Sequence, residues 1–423
     1  SGVTSLASFD DLYWNKDTGW WNFIIGNHIY FKFRDIENLI IGDNVYTQIW
    51  GDSGQACLGN VNCYGGWFSS NENAVYFTSQ LESGYPRDGA RLWWSDESVT
   101  DQNALKNNFS TGGTIKILGS IAGDDLRLEN MDRTVHTGSL NIHMGDHPDG
   151  VLSDRISGLD IKSGDSVNLG KGGSFVMLGT LTPVSQLDLS GLEGGSNVLD
   201  RWGEPNADFL SFEQYDSSSG RELTLDMVSG FERIRGTKGG DIIKGNSSDN
   251  WLEGWGGDNT VYGYAGQDAL RANILNSSIE GNSTLYGGAG NDQIYCYGSP
   301  ATCTIDGGTG RDYVEFQENA QGTVVIRGGD GYTGSVNSSQ EVQAGINGPT
   351  IAYDKVYGFD FSKHKIGLDN GLTFSELSFS DYDGGVLVLY GEERLLWIVG
   401  ASTSDMVEGI FTSVDIDESV AYQ

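Results

Sequence analysis

The chain has 423 residues, and its 25 Lys and Arg against 58 Asp and Glu leave a formal charge of −33. That balance excludes binding to nucleic-acid phosphates or an anionic membrane, which need a basic patch, and favours cations as partners. At 38% hydrophobic residues the chain can still bury a core, while 62 Gly against 6 Pro points to an architecture rich in turns.

Residues 1–113 read as an aromatic-rich β region. They hold seven of the 11 Trp: Trp14, Trp20, Trp21, Trp50, Trp67, Trp93 and Trp94. Period-two runs such as HIYFKF and AVYFTSQL predict strands. The rings fill a core or cap a sheet end, and an exposed subset would stack on sugars or form a subunit contact. Cys57 and Cys63 close a short loop here, and Cys296 and Cys303 close another. Neither pair has CxxC spacing or a neighbouring His, so two disulfides are expected, and with them an oxidising, extracellular or cell-surface location.

Residues 114–202 lack helical periodicity. Short aliphatic runs (TIKILGSI, GLDIKSG, DSVNLG, SFVMLGTL, QLDLSGL) recur between Gly, Asp and Ser turns. A parallel β-helix is the preferred reading, with a β-sandwich as the competitor.

Residues 203–330 contain the strongest signal. Four consecutive nonapeptides run GTKGGDIIK, GNSSDNWLE, GWGGDNTVY and GYAGQDALR from Gly236, and GGAGNDQIY and GGTGRDYVE follow at Gly287 and Gly307. Position 1 is always Gly, position 6 is Asp241, Asn250, Asn259, Asp268, Asp292 or Asp312, and position 8 is aliphatic. Six residues make a turn whose glycines permit angles closed to other residues, and three make a short strand with one inward side chain. Turns 18 residues apart then stack on one edge, and each carboxylate meets carbonyls of the next turn in an oxygen cage suited to Ca²⁺.

This GGxGxDxUx pattern resembles the hemolysin-type calcium-binding (RTX) repeat family. The flanking runs at 209–250 and 354–377 resemble the segments that lead into and cap such arrays, so the likeness covers about residues 203–400. It implies an all-β chain: a β-solenoid in which the parallel β-helix leads into an RTX parallel β-roll, closed by a C-terminal β cap at 331–423. It also implies several bound Ca²⁺ ions. The metal set would be Gly236, Asp241, Asp249, Asn250, Gly254, Asp258, Asn259, Asp268, Gly287, Gly288, Gly290, Asp292, Gly307, Gly308, Gly310 and Asp312. Asn250 and Asn259 are neutral, with Asp249 and Asp258 beside them as compensating acids. Type I secretion of an unfolded chain is implied too, with GIFTSVDIDESVAYQ as a candidate C-terminal signal. Between Tyr295 and Gly307 lie eleven residues where one nonapeptide has nine, so the Cys296–Cys303 loop is expected to replace one turn.

No HExxH or GxSxG occurs, and no run of about 18 apolar residues would span a membrane. The remaining catalytic candidate is HMGDHPDG, with His143, Asp146, His147 and Asp149. It suits proton abstraction from a sugar, a solvated turn or a transition-metal site equally. The balance favours a non-enzyme: a secreted calcium-binding structural protein (surface layer, sheath or filament subunit) that self-associates. The alternatives are a polysaccharide lyase, epimerase or sugar-binding adhesin, with cell-surface polysaccharide as partner, and a module of a larger toxin or adhesin.

Overall fold

The computed structural model describes residues 112–120, 123–129, 131–145, 154–171, 174–179, 231–273, 281–297, 301–317, 319–327 and 353–416, together with short strands elsewhere between 11 and 224. The described residues contain strands, turns and a few single 3-10 turns, with no α-helix. They divide into two compact units, residues 1–215 with 227–231, and residues 216–226 with 232–423.

In the first unit, Asp11–Asn15, Trp20–Ile25 and His28–Phe33 form an antiparallel group, as do Asn38–Ile41, Asn44–Ile49, Trp67–Ser70 and Ala74–Phe77. From Ala74–Phe77 onward the pairing becomes parallel. Ala74–Phe77, Ile115–Leu118, Leu140–His143, Ser166–Asn168 and Leu192–Glu193 stack in one sheet. Arg91–Trp94, Asp125–Arg127, Arg155–Leu159, Phe175–Leu178 and Asp208–Ser211 stack in the other. Inward residues align in register, so Ile117, Ile142 and Val167 make one buried column and Leu126, Ile156, Val176 and Leu210 another. This parallel stacking is what a β-solenoid requires and a sandwich does not.

The second unit repeats the scheme with the nonapeptides. One sheet runs Arg221–Thr224, Asp241–Lys244, Thr260–Ala265, Gly281–Gly290, Ala301–Gly310, Gln321–Ile326, His364–Leu368 and Phe411–Ser413, all parallel. The facing sheet runs Phe231–Arg235, Trp251–Glu253, Ala269–Arg271, Gln293–Cys296, Tyr313–Phe316, Asp354–Tyr357 and Glu393–Val399. Gly385–Tyr390 and Leu377–Tyr382 then continue it as antiparallel hairpins. The position-8 residues and their register partners outside the repeats form two core columns, Ile243, Val261, Leu285, Ile305, Val324 and Ile366 in one and Ile234, Leu252, Leu270, Ile294, Val314, Val356 and Ile398 in the other. All are 0% or 1% exposed. One aliphatic side chain per short strand therefore suffices for a continuous dry seam, since burial follows from stacking and not from strand length.

Leu285 takes its inward place although 272–286 is off the nonapeptide period. The parallel stack also runs beyond the repeats, because Asp354–Tyr357 and His364–Leu368 continue it before the hairpins begin.

Candidate metal centre

Turns leave the two sheets of the second unit on opposite edges. On the first edge the turns start at Gly245, Gly263, Gly287 and Gly307, and their position-6 residues are Asn250, Asp268, Asp292 and Asp312. These stack into a hydrogen-bonded ladder. The backbone N–H of Asn250 donates to Asp268 Oδ1 at 2.7 Å, that of Asp268 to Asp292 Oδ1 at 2.8 Å, and that of Asp292 to Asp312 Oδ1 at 2.8 Å. Asp312 N–H donates in turn to Asp354 Oδ1 at 3.3 Å, so a residue outside the repeats closes the column.

Each aspartate thus uses one oxygen on the preceding rung. The other, Oδ2 of Asp268, Asp292 and Asp312, is buried and has no hydrogen-bond partner, although these residues are only 1–2% exposed. An anionic oxygen without a partner in a dry site is costly, and its acidity reports that. Burial first, then the carboxylate of Asp292, pushes Asp268 up to about 8. Burial and the Asp312 carboxylate push Asp292 up to about 8. Asp312 is raised well above the usual carboxylate range by burial and by Asp354.

Glycine at position 1 keeps the space in front of these oxygens open. A Cβ on Gly287 would lie 2.5 Å from Asp292 Oδ2 and still closer to the carbonyl oxygen of Gly307. A Cβ on Gly263 would meet Asp268 Oδ2 at 2.5 Å and the Gly287 carbonyl in the same way. A carboxylate oxygen and a backbone carbonyl of the following turn therefore converge on one point. Among the described residues no group of three or more His, Cys, Asp or Glu converges; the donors here are one carboxylate and main-chain oxygens. That all-oxygen set fits a hard divalent cation such as Ca²⁺ and does not suit a metal seeking nitrogen or sulfur. Asp268 with the Gly287 carbonyl, and Asp292 with the Gly307 carbonyl, would hold an ion, Asp312 would add its free oxygen at the end of the column, and a bound cation would supply the positive charge these oxygens lack.

Positions 2 and 4 of the turns carry the left-handed backbone, with φ of 109° at Gly288, 90° at Gly308 and 134° at Gly310. Trp255 and Tyr264 adopt it at position 2 without being glycine, at 72° and 75°, which costs on the order of 1 kcal/mol each.

On the second edge a Cβ on Gly236 would likewise meet Asp241 Oδ2 at 2.6 Å and the Gly254 carbonyl oxygen at 2.7 Å, but the carboxylate there has protein partners. Asp241 N–H donates to Asn259 Oδ1 at 2.9 Å, but both Asp241 oxygens are served by Thr237: its N–H lies 2.7 Å from Oδ2 and its hydroxyl 3.1 Å from Oδ1. Asn259 Nδ2 donates to the carbonyl oxygens of Gly256 at 2.9 Å, Gly257 at 3.1 Å and Ala272 at 3.3 Å. Further along, Cys296 and Cys303 form a disulfide with a Cα–Cα distance of 6.1 Å, on the edge where the eleven-residue spacing placed it.

The exposed acids Asp249 and Asp258 accept from the following turns on their own edges, from Gln267 N–H and Asn282 N–H, both at 2.7 Å. His143 is exposed at the end of Leu140–His143. Its companions Asp146, His147 and Asp149, the Cys57 and Cys63 pair, and the side chains of the N-terminal Trp residues lie outside the described residues. Sequence reasoning missed Asp354, which no nonapeptide contains, and the Thr237 and Asn259 contacts that set the second edge apart.

Among the described residues no helix is long and apolar enough to cross a membrane. No curated protein matches the chain. Residues 235–270 and 280–295 match the RTX calcium-binding nonapeptide repeat in four copies. The rungs at Asn250, Asp268 and Asp292 accordingly lie in RTX repeats, which imply a calcium-binding, secreted protein, while Asp312 and Asp354 continue the ladder beyond the matched residues.

Proposed function

We propose that the chain is a structural protein of the cell surface, a subunit of a surface layer, sheath or extracellular filament, that folds and self-associates on meeting external calcium. The observation that carries this reading is the column of Asp268, Asp292 and Asp312, each buried with one unpartnered oxygen. Without a cation, ionising these buried carboxylates stacked along one edge is costly, and chain entropy weighs against folding. Type I export of an unfolded chain fits that behaviour. Outside, millimolar calcium compensates the carboxylates and drives folding by mass action. The test is circular dichroism during calcium titration, with electron microscopy of the same samples. Gain of β-signal with calcium, and sheets or filaments on the grid, are expected. A β-spectrum indifferent to calcium and chelator overturns the folding reading, and monodisperse particles at saturating calcium overturn the assembly reading.

A second reading, binding of a cell-surface polysaccharide, is favoured by one surface. On the face opposite the core, Trp251 lies between the guanidinium groups of Arg233 at 4.0 Å and Arg271 at 4.2 Å. Lys355 sits over Tyr357 at 4.8 Å, and Tyr357 stacks on Tyr313 at 4.9 Å. Rings and cations in one stripe suit an acidic glycan. Retention on an alginate or polygalacturonate matrix that Trp251→Ala abolishes would support it, and no retention of the parent would discard it. Loss of activity on uronic-acid polymers in His143→Ala would instead establish the enzymatic form.

A further inference from the structure

We infer that calcium is held along one edge of the repeat array only, and that the opposite edge is a metal-free clasp in which the Asn259 amide stands where an ion would be. This rests on the calcium reading above and divides that site between its two edges.

Strand register extends the position-6 residues into two columns. The first edge reads Asn250, Asp268, Asp292, Asp312, Asp354, because the residues that follow them pair directly across Trp251–Glu253, Ala269–Arg271, Gln293–Cys296, Tyr313–Phe316 and Asp354–Tyr357. The second edge reads Asp241, Asn259, Ser283, Cys303, Gly322, His364 by the same registers in the other sheet. From Asp268 onward every rung of the first column is an aspartate, whereas the second column has no acid after Asp241. A calcium site needs anionic or strongly polar oxygen, so only the first column keeps the ligand chemistry.

On the second edge every replacement has protein partners. Both Asp241 oxygens are served by Thr237. The Asn259 amide is oriented by accepting from Asp241 N–H at Oδ1, which leaves Nδ2 among three carbonyl oxygens. An N–H donor surrounded by carbonyls supplies the positive partner that a cation would supply. Ser283 Oγ accepts from Asn259 N–H at 3.3 Å. Cys303 is tied to Cys296. Gly322 leaves room for the ring of Phe316, which a Cβ would strike at 2.6 Å. His364 stacks on that ring at 4.0 Å, accepts from Asp360 N–H at Nδ1 over 2.8 Å, and sits 3.0 Å from Ala320 O at Nε2. The unpartnered carboxylate oxygens of the array, among the described residues, all belong to the first edge.

An aspartate at 259 would place a carboxylate against the carbonyls of Gly256, Gly257 and Ala272, an arrangement that repels unless a cation sits between. Asn259→Asp should therefore create a calcium site. The experiment is calorimetric titration of the full chain with CaCl₂, comparing the number of ions per chain in the parent, Asp292→Asn, Asp241→Asn and Asn259→Asp. Asp292→Asn is expected to lose at least one ion, Asp241→Asn none, and Asn259→Asp to gain one. Loss of an ion in Asp241→Asn, or an unchanged count in Asp292→Asn, overturns the one-edge assignment while leaving calcium binding intact. Absence of binding in the parent overturns the calcium reading itself. Should Asn259→Asp fail to give a β-spectrum in excess calcium, the contrast between Asp241→Asn and Asp292→Asn decides the matter alone.

Discussion

At the scale of single residues, the site depends as much on a missing side chain as on carboxylates. Gly287→Ala would push a methyl against the Gly307 backbone carbonyl and against Oδ2 of Asp292, a carboxylate pinned through its Oδ1 by the Asp268 N–H. A loss of about 1–3 kcal/mol is expected, with calcium affinity falling in parallel. Gly409 has open space around its Cα, so Gly409→Ala should leave thermal melting nearly unchanged and serves as the control. Acidity gives a second prediction. In chelator, Asp268 and Asp292 titrate near 8 in the folded array, against 3.8 for an unperturbed aspartate. Between those values the folded state holds more protons than the unfolded chain. The contribution is therefore complete below about pH 4 and is lost as pH rises through about 8. Melting of calcium-free protein should accordingly drop from pH 5 to pH 8.5, less steeply in Asp292→Asn. A rise over that range would contradict the burial of these groups.

At the scale of elements, turns need a positive group wherever a carboxylate and carbonyls meet, and this protein meets the need in several ways. In the first unit it uses a guanidinium. Arg133 Nη2 donates to Asp165 Oδ1 at 2.9 Å and to Gly138 O at 3.0 Å, and Asp165 also accepts from Leu140 N–H at 2.7 Å and Lys162 N–H at 2.9 Å. Both side chains are nearly inaccessible, at 4% and 0%. Arg327 performs the same task beside the array, paired with Asp306 and with Asp369. Arg133→Ala would leave Asp165 charged and buried, and should destabilise the first unit by about 3–5 kcal/mol in urea melts. That loss should be the same with calcium or chelator, since the displaced cation is part of the chain.

At the scale of the whole molecule, the nonapeptide made the core legible. Ile243, Leu252, Val261, Leu270, Ile294 and Val314 all take the inward place that position 8 assigns. The disulfide loop was legible for the same reason, because Ile305 kept its place while the turn before it grew. What the period could not show was which residues share a column once spacing becomes irregular. Ser283, Cys303, Gly322 and His364 stand in line with Asp241 only through strand register. Residue identity does not announce position 2 either: Trp255 and Tyr264 take a left-handed backbone usually left to glycine. Hydrogen exchange tests the result across the second unit. Chelator should speed exchange at the amides of Asn250, Asp268, Asp292 and Asp312 more than at Asp241, and uniform acceleration would mean the two edges open together.

The aspartate ladder has one more implication. Its rungs are separated by 18, 24, 20 and 42 residues, yet each is made by the same amide-to-carboxylate bond. Contour length between contacts is thus a free variable for this scaffold. A foreign peptide spliced into the longest excursion, after Ile326 and before Asp354, would be carried as cargo with the paired strands on either side keeping their register.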